Sequence, residues 1–208
     1  EKNSEMLRSI YAVKGFTDLC SALLIFYEKY ASTYKRRKEI FHKIDFPEEL
    51  KNFVKQATKA KLYEGYRVKN TEEFFKNSKK WVLWSLKKII KEHLKISSED
   101  WKIICKVMYQ KLPYIYFNDY LGSRYLFFGQ YYLNIRFFLE SIRKGDFLPK
   151  SLFRWRDAGL IIAIALILES VGEEKEAEKY LRKLTRKTTP LKERILQLYS
   201  IYYLQKLI

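Results

Sequence analysis

Residues 161–184 read IIAIALILESVGEEKEAEKYLRKL, and this stretch decides the fold. Ile164 and Leu168 stand one helical turn apart, Gly172 follows four residues later, Ala177 five after that, and Leu181 four further on. An apolar helix that meets a glycine and restarts on an acidic first turn, Glu173 to Glu176, reads as two helices folded back on each other. The small residue at 177 lets the second helix approach the first, and Leu181 fills the space between them. The same spacing occurs at Leu7, Tyr11, Gly15, Cys20 and Leu24, and again at Leu121, Tyr125, Gly129, Asn134 and Phe138. Three copies predict an all-α architecture of antiparallel helix hairpins stacked as an irregular solenoid or bundle, turning at Gly15, Gly129 and Gly172.

The remaining sequence agrees with helices. Four prolines and seven glycines punctuate 208 residues, and no stretch alternates apolar and polar residues long enough for a sheet. The first pair spans about Ser4 to Tyr34, with a break at Lys14-Gly15 and Thr17 or Asp18 as the second cap. Asp45 caps a helix that begins near Pro47, and Asn70-Thr71-Glu72-Glu73 offers another start. An amphipathic helix covers about Lys79 to Leu94, Ser97-Ser98-Glu99-Asp100 opens the next, and Pro113 ends it. Helices over about Lys150–Ser170, Glu173–Arg186 and Leu191–Ile208 complete one continuous unit over residues 1–208. Its core draws on Leu7, Tyr11, Leu24, Leu121, Tyr125, Phe138, Ile164, Leu168, Leu181 and Leu184. Leu160 to Leu168 is apolar all round and therefore central.

Composition narrows the function. Apolar residues make up 48% of the chain and aromatics 17%, which excludes a disordered chain. The charged fraction of 31%, rich in Lys and Glu, is of the kind found on heat-adapted proteins. A formal charge of +17 favours acidic partners: nucleic acid, anionic lipid or an acidic protein. Cys20 and Cys105 have no metal or redox spacing and fall in apolar patterns, so buried reduced thiols and a cytoplasmic setting are expected. The longest apolar run, Leu160 to Leu168, is too short to cross a bilayer, so no transmembrane span is expected. No cofactor and no metal site is expected, since phosphate loops, metal spacings and nucleophile motifs are all missing.

The last two copies of the hairpin pattern resemble tetratricopeptide repeats. Tyr120-Leu121-Gly122, Tyr125, Gly129-Gln130-Tyr131 and Phe138 stand at that family's consensus offsets, as do Ala165, Gly172, Ala177, Leu181 and, one position late, Pro190. Asn134 replaces the usual Ala, and Asn118 and Ile161 replace Trp. The resemblance covers about half of the chain and implies a non-enzymatic scaffold binding a peptide or partner protein. Its groove would be lined by Tyr116, Asp119, Ser123, Leu126 and Phe127, a set suited to an apolar or extended segment. The same aromatics would also serve as plain core.

Charge supplies the alternative. The segment from Lys35 to Lys111 carries about two-thirds of the basic excess. Lys51, Lys55 and Lys59 recur every four residues, and Lys80, Trp84, Lys87, Lys91 and Lys95 share a second helical face. With Lys35-Arg36-Arg37-Lys38 as a compact basic knot, these suit a phosphate backbone, and Trp84 is available to stack on an unpaired base. The same Lys pattern also suits a solvated face, and Trp84 the edge of a core. A third reading rests on Arg37 and His42, whose spacing resembles that of the helical ribonucleases of prokaryotic toxin and defence systems, where Arg holds phosphate and His serves the ribose hydroxyl. Such a pair is a frequent coincidence in a chain with 41 basic residues.

Overall fold

The computed structural model describes the backbone of residues 2–120, 158–185 and 189–203, and side chains within 4–111, 159–185 and 189–199. Eight helices and no strand are present among the described residues, and the helices pack against one another as an all-α fold. Two compact units are distinguished, residues 1–93 and 94–208.

The first unit is built on α1 (Lys2–Phe26), α2 (Tyr34–Lys43), α3 (Glu48–Tyr63) and α4 (Thr71–Leu94). Ala12, Val13, Phe16, Leu19, Cys20, Leu23 and Leu24 recur at three- and four-residue steps, and all are buried. That stripe packs on α3 antiparallel to it: the Ser9 hydroxyl bonds the carbonyl of Tyr66, and the Phe16 and Phe53 rings stack with centroids 5.1 Å apart. The last helix of the unit returns antiparallel to α3, with Lys80 on Glu49 and Phe74 against Phe53. It therefore runs parallel to α1, tied to it at Arg8–Glu72, Phe16–Phe74 and Tyr27–Glu92. An Asn70 cap starts α4, its carbonyl accepting the Glu73 N–H while its amide donates to the Glu73 carboxylate.

Several expectations are corrected here. Gly15 does not turn the chain; it lies inside α1, where a Cβ would meet Ser78 of α4 at 3.7 Å. The apolar periodicity continues across the glycine, and its burial outweighs the cost of about 1 kcal/mol for a glycine in a helix. Thr17 is accordingly no cap, and its hydroxyl donates to the Lys14 carbonyl one turn back. Leu7 and Tyr11, expected in the core, are 52% and 63% exposed because they sit on the opposite stripe of α1 from Ser9, Ala12 and Phe16. Asp45 does not cap α3; Pro47 occupies the cap position with no side-chain bond. By length and composition, Ser4–Phe26 is long and apolar enough to cross a membrane, with half of its most apolar window buried within the fold. Lys14 and Asp18, the only charges between Ser9 and Phe26, interrupt its apolar run.

The second unit holds α5 (Trp101–Tyr120), α6 (Ala158–Ser170), α7 (Glu174–Leu181) and α8 (Leu191–Tyr203). Ser98 accepts the Asp100 N–H, and the Asp100 carboxylate accepts that of Lys102, which opens α5. Pro113 does not end this helix, which continues to Tyr120 at the cost of the hydrogen bond that proline cannot donate. Gly172 turns α6 into α7 with φ +85°, a left-handed conformation that suits glycine. Ala165, Ile164 and Leu168 on one side and Ala177 and Leu181 on the other are fully buried. Leu184, Cys20, Cys105 and Leu24 are buried as expected, the cysteines as free thiols. The α6 helix is covered over more than half its circumference, but Leu166 is exposed, so it is not enclosed on all sides. Gly129, Leu121, Tyr125 and Phe138 lie outside the described residues.

Candidate nucleic-acid interface

The lysine stripe of α3 divides on folding. Lys51 is buried along its stem and its ammonium bonds Glu48 at 2.8 Å, while Lys55 and Lys59 stay exposed. Lys51 in turn holds the Glu48 carboxyl below the usual carboxylate range through that bond. Beside this stripe, α2 presents Lys38 and His42. Burial, then the nearby Lys55, pushes the His42 imidazole below its ordinary value, with Lys51 and Lys38 adding to the effect and Glu48 opposing it. Its buried Nε2 has no hydrogen-bond partner.

At the other end of α3 the chain makes a left-handed step, Gly65 at φ +55° and Tyr66 at φ +66°. The Tyr66 N–H reaches back to the Ala60 carbonyl at 2.9 Å, and the Arg67 N–H to that of Glu64 at 3.1 Å. This reversal brings residues 67–69 back beside α3. The result is an open cleft of about 810 Å³ lined by Gln56, Lys59, Glu64, Arg67, Val68 and Lys69. Lys59 pairs with Glu64 at 2.6 Å across it. Among the described residues, Lys38, Lys55, Arg67 and Lys69 form no ion pair.

The second expected stripe does not form one surface. Trp84 is half-buried against the core, edge-on to Phe46 and Trp81, so its face is not free for a base. Lys80 is exposed but spans to Glu49 at 3.1 Å and lies over the Trp81 ring. Lys87 and Lys91 are half-exposed and each has an interaction partner. Lys95 is off the helix, since α4 ends at Leu94 and Lys95 turns left-handed at φ +54°. Arg36 is exposed and bonds Glu39.

Arg37 is the clearest correction. It is only 8% exposed, and all three guanidinium nitrogens are committed: Nε to Ala31 O at 2.7 Å, Nη1 to Ser21 Oγ at 2.8 Å and Nη2 to Ser32 O at 2.9 Å. Tyr30 and Tyr34 flank it, their ring centroids 4.6 and 4.4 Å away. It pins the loop between α1 and α2. His42, five residues on, sits instead among Glu48, Lys51 and Lys55, so the two do not converge on one substrate position. Burial pushes both cysteine thiols up to about 12, which makes them inert, and no metal-binding group of side chains occurs among the described residues.

The expected peptide groove cannot be placed: Ser123, Leu126 and Phe127, and the side chains of Tyr116 and Asp119 on α5, lie outside the described residues. Gln56, Arg67 and Lys69 were not singled out from sequence, whereas Lys38 was, as the last residue of the basic knot. Arg67 and Lys69 follow Gly65, and that glycine was the available signal for a reversal returning them to Lys59. Compared with protein-family models, curated proteins and solved structures, the chain matches none.

Proposed function

We propose that this protein is a non-enzymatic helical module that binds the phosphate backbone of nucleic acid through the α2–α3 face of its first unit. The observation that carries this reading is a set of cations that form no ion pair, the half-exposed Lys38 on α2 and the exposed Lys55, Arg67 and Lys69 on and just after α3. These four lie within one stretch of the first unit, α2, α3 and the return after it, whereas Lys80 and Lys88 on α4 are paired with Glu49 and Glu92. Because Trp84 belongs to the core edge, binding is electrostatic and does not depend on base stacking. Buried free thiols support a reducing, cytoplasmic setting.

A gel shift on single-stranded RNA and DNA at low salt tests this. Lys55→Glu with Lys38→Glu should abolish binding, whereas Lys80→Gln should leave it. Four phosphate contacts predict a slope of log affinity against log salt on the order of −3 for a single strand. Absence of any shift at micromolar protein overturns the reading. The α6–α7 hairpin favours a second one, a tetratricopeptide-like scaffold for a protein or peptide, because Ala165, Gly172, Ala177 and Leu181 occupy the contact and turn positions that such repeats require.

A further inference from the structure

The cleft at the end of α3 differs in kind from the open ridge beside it. A ridge of lysines meets phosphodiesters one at a time, each with a single negative charge. Here Lys59, Arg67 and Lys69 line one cleft together with a single carboxylate, Glu64, so the lining residues carry a surplus of two positive charges. Its size, about 810 Å³, is that of a site for one nucleotide-sized ligand rather than for a strand passing through.

We propose that this cleft binds a phosphate monoester in its dianionic form, presented either by the phosphorylated end of a strand or by a free mononucleotide. The inference rests on the reading of the α3 face as a phosphate-binding one. A monoester supplies the second charge and three terminal oxygens, enough to engage Arg67 bidentately and Lys69 as a point charge. Lys59 is then the third contact, transferred from Glu64 to the ligand. Its present bond to Glu64, 2.6 Å between two exposed side chains, is cheap to break. The Gln56 amide lies on the same wall to donate to a sugar or phosphate oxygen. The net positive lining favours the dianion over a monoanionic diester, and Glu64, which repels both, tempers the affinity of the site.

The test measures fluorescence anisotropy with one labelled oligonucleotide carrying either a 5′-phosphate or a 5′-hydroxyl, and competition by an unlabelled nucleoside monophosphate. The phosphorylated strand should bind on the order of tenfold tighter, the scale of one or two charge-assisted contacts. Arg67→Gln and Lys69→Gln should remove that preference, bringing the phosphorylated strand down to the affinity of the hydroxyl strand, while the hydroxyl strand itself weakens through the two lost backbone contacts. Glu64→Gln should strengthen binding of both strands, the phosphorylated one more, and widen the gap between them. Lys55→Gln, outside the cleft, should weaken both strands equally. Competition by the monophosphate assigns the ligand to a small molecule as well, and no competition assigns it to strand ends. Equal binding of the two strands overturns the cleft proposal and leaves backbone binding standing. If neither strand binds, both fall.

Discussion

Replacing Arg37 by Ala isolates a side chain that sequence placed on a nucleic-acid-binding surface and structure places in the framework. The substitution removes three hydrogen bonds from a charged donor, at 2.7, 2.8 and 2.9 Å. Bonds of this class contribute about 1.5–3 kcal/mol each. Two of the acceptors, the carbonyls of Ala31 and Ser32, lie in a half-exposed to exposed loop where water can replace the guanidinium, so the upper end of that sum does not apply. The flanking Tyr30 and Tyr34 add about 0.5–1 kcal/mol apiece. A loss of roughly 3–5 kcal/mol results, a large part of the 5–15 kcal/mol typical of a domain. Urea denaturation followed by circular dichroism measures it, with Arg37→Met as a companion that keeps the buried stem and should recover about 1 kcal/mol. Nucleic-acid affinity per folded molecule should be unchanged in both. A stability loss under about 1 kcal/mol, or a tenfold fall in affinity in a variant that still folds, would refute the framework role and return Arg37 to the surface chemistry.

Ala177→Leu should cost roughly 1–3 kcal/mol by overpacking the α6–α7 contact, read as a shift in the urea midpoint. Gly172→Ala, by contrast, meets open space but a φ of +85°, so its loss of about 1–2 kcal/mol is purely conformational. His42 has a folded pKa below its unfolded one, so its contribution to stability is complete above about pH 6.5 and is lost as pH falls through the folded value. Urea midpoints at pH 7.5 and 5 should therefore fall more in the native protein than in His42→Asn, and equal falls would refute it. Neither Cys20 nor Cys105 should react with a maleimide in the folded protein at pH 8, and both should react in urea.

Where one helical stripe dictates burial, sequence was sufficient. Ile164, Ala165, Leu168, Ala177 and Leu181 form such a stripe around a glycine that has to adopt a left-handed turn, and the hairpin follows. Gly15 shows the limit: the same spacing sits there within a buried stripe that recurs at three- and four-residue steps from Ala12 to Leu24, and burial of that stripe overrides the break. Tyr11 and Leu7 were misplaced for a related reason, since hydrophobicity does not say which side of an apolar helix meets a neighbour. The basic residues were legible as a charge and not as a surface. Which lysines are neutralised depends on carboxylates far along the chain, as Glu49 neutralises Lys80, and which return to a common cleft depends on the reversal at Gly65 and Tyr66.

The parallel alignment of α1 and α4 has a consequence for synthesis. Two of the helices that pack on α1, α3 and α4, are supplied by residues 48–94, which are translated after it. At about 5–20 residues per second, the 68 residues that separate Phe26 from Leu94 take on the order of 3–14 s to make. For that interval the nascent chain carries a 23-residue apolar segment whose set of α3 and α4 partners is incomplete. A factor that shields or captures such segments on the ribosome therefore meets this protein before its own fold does, and slowing translation between α1 and α4 lengthens that encounter in direct proportion.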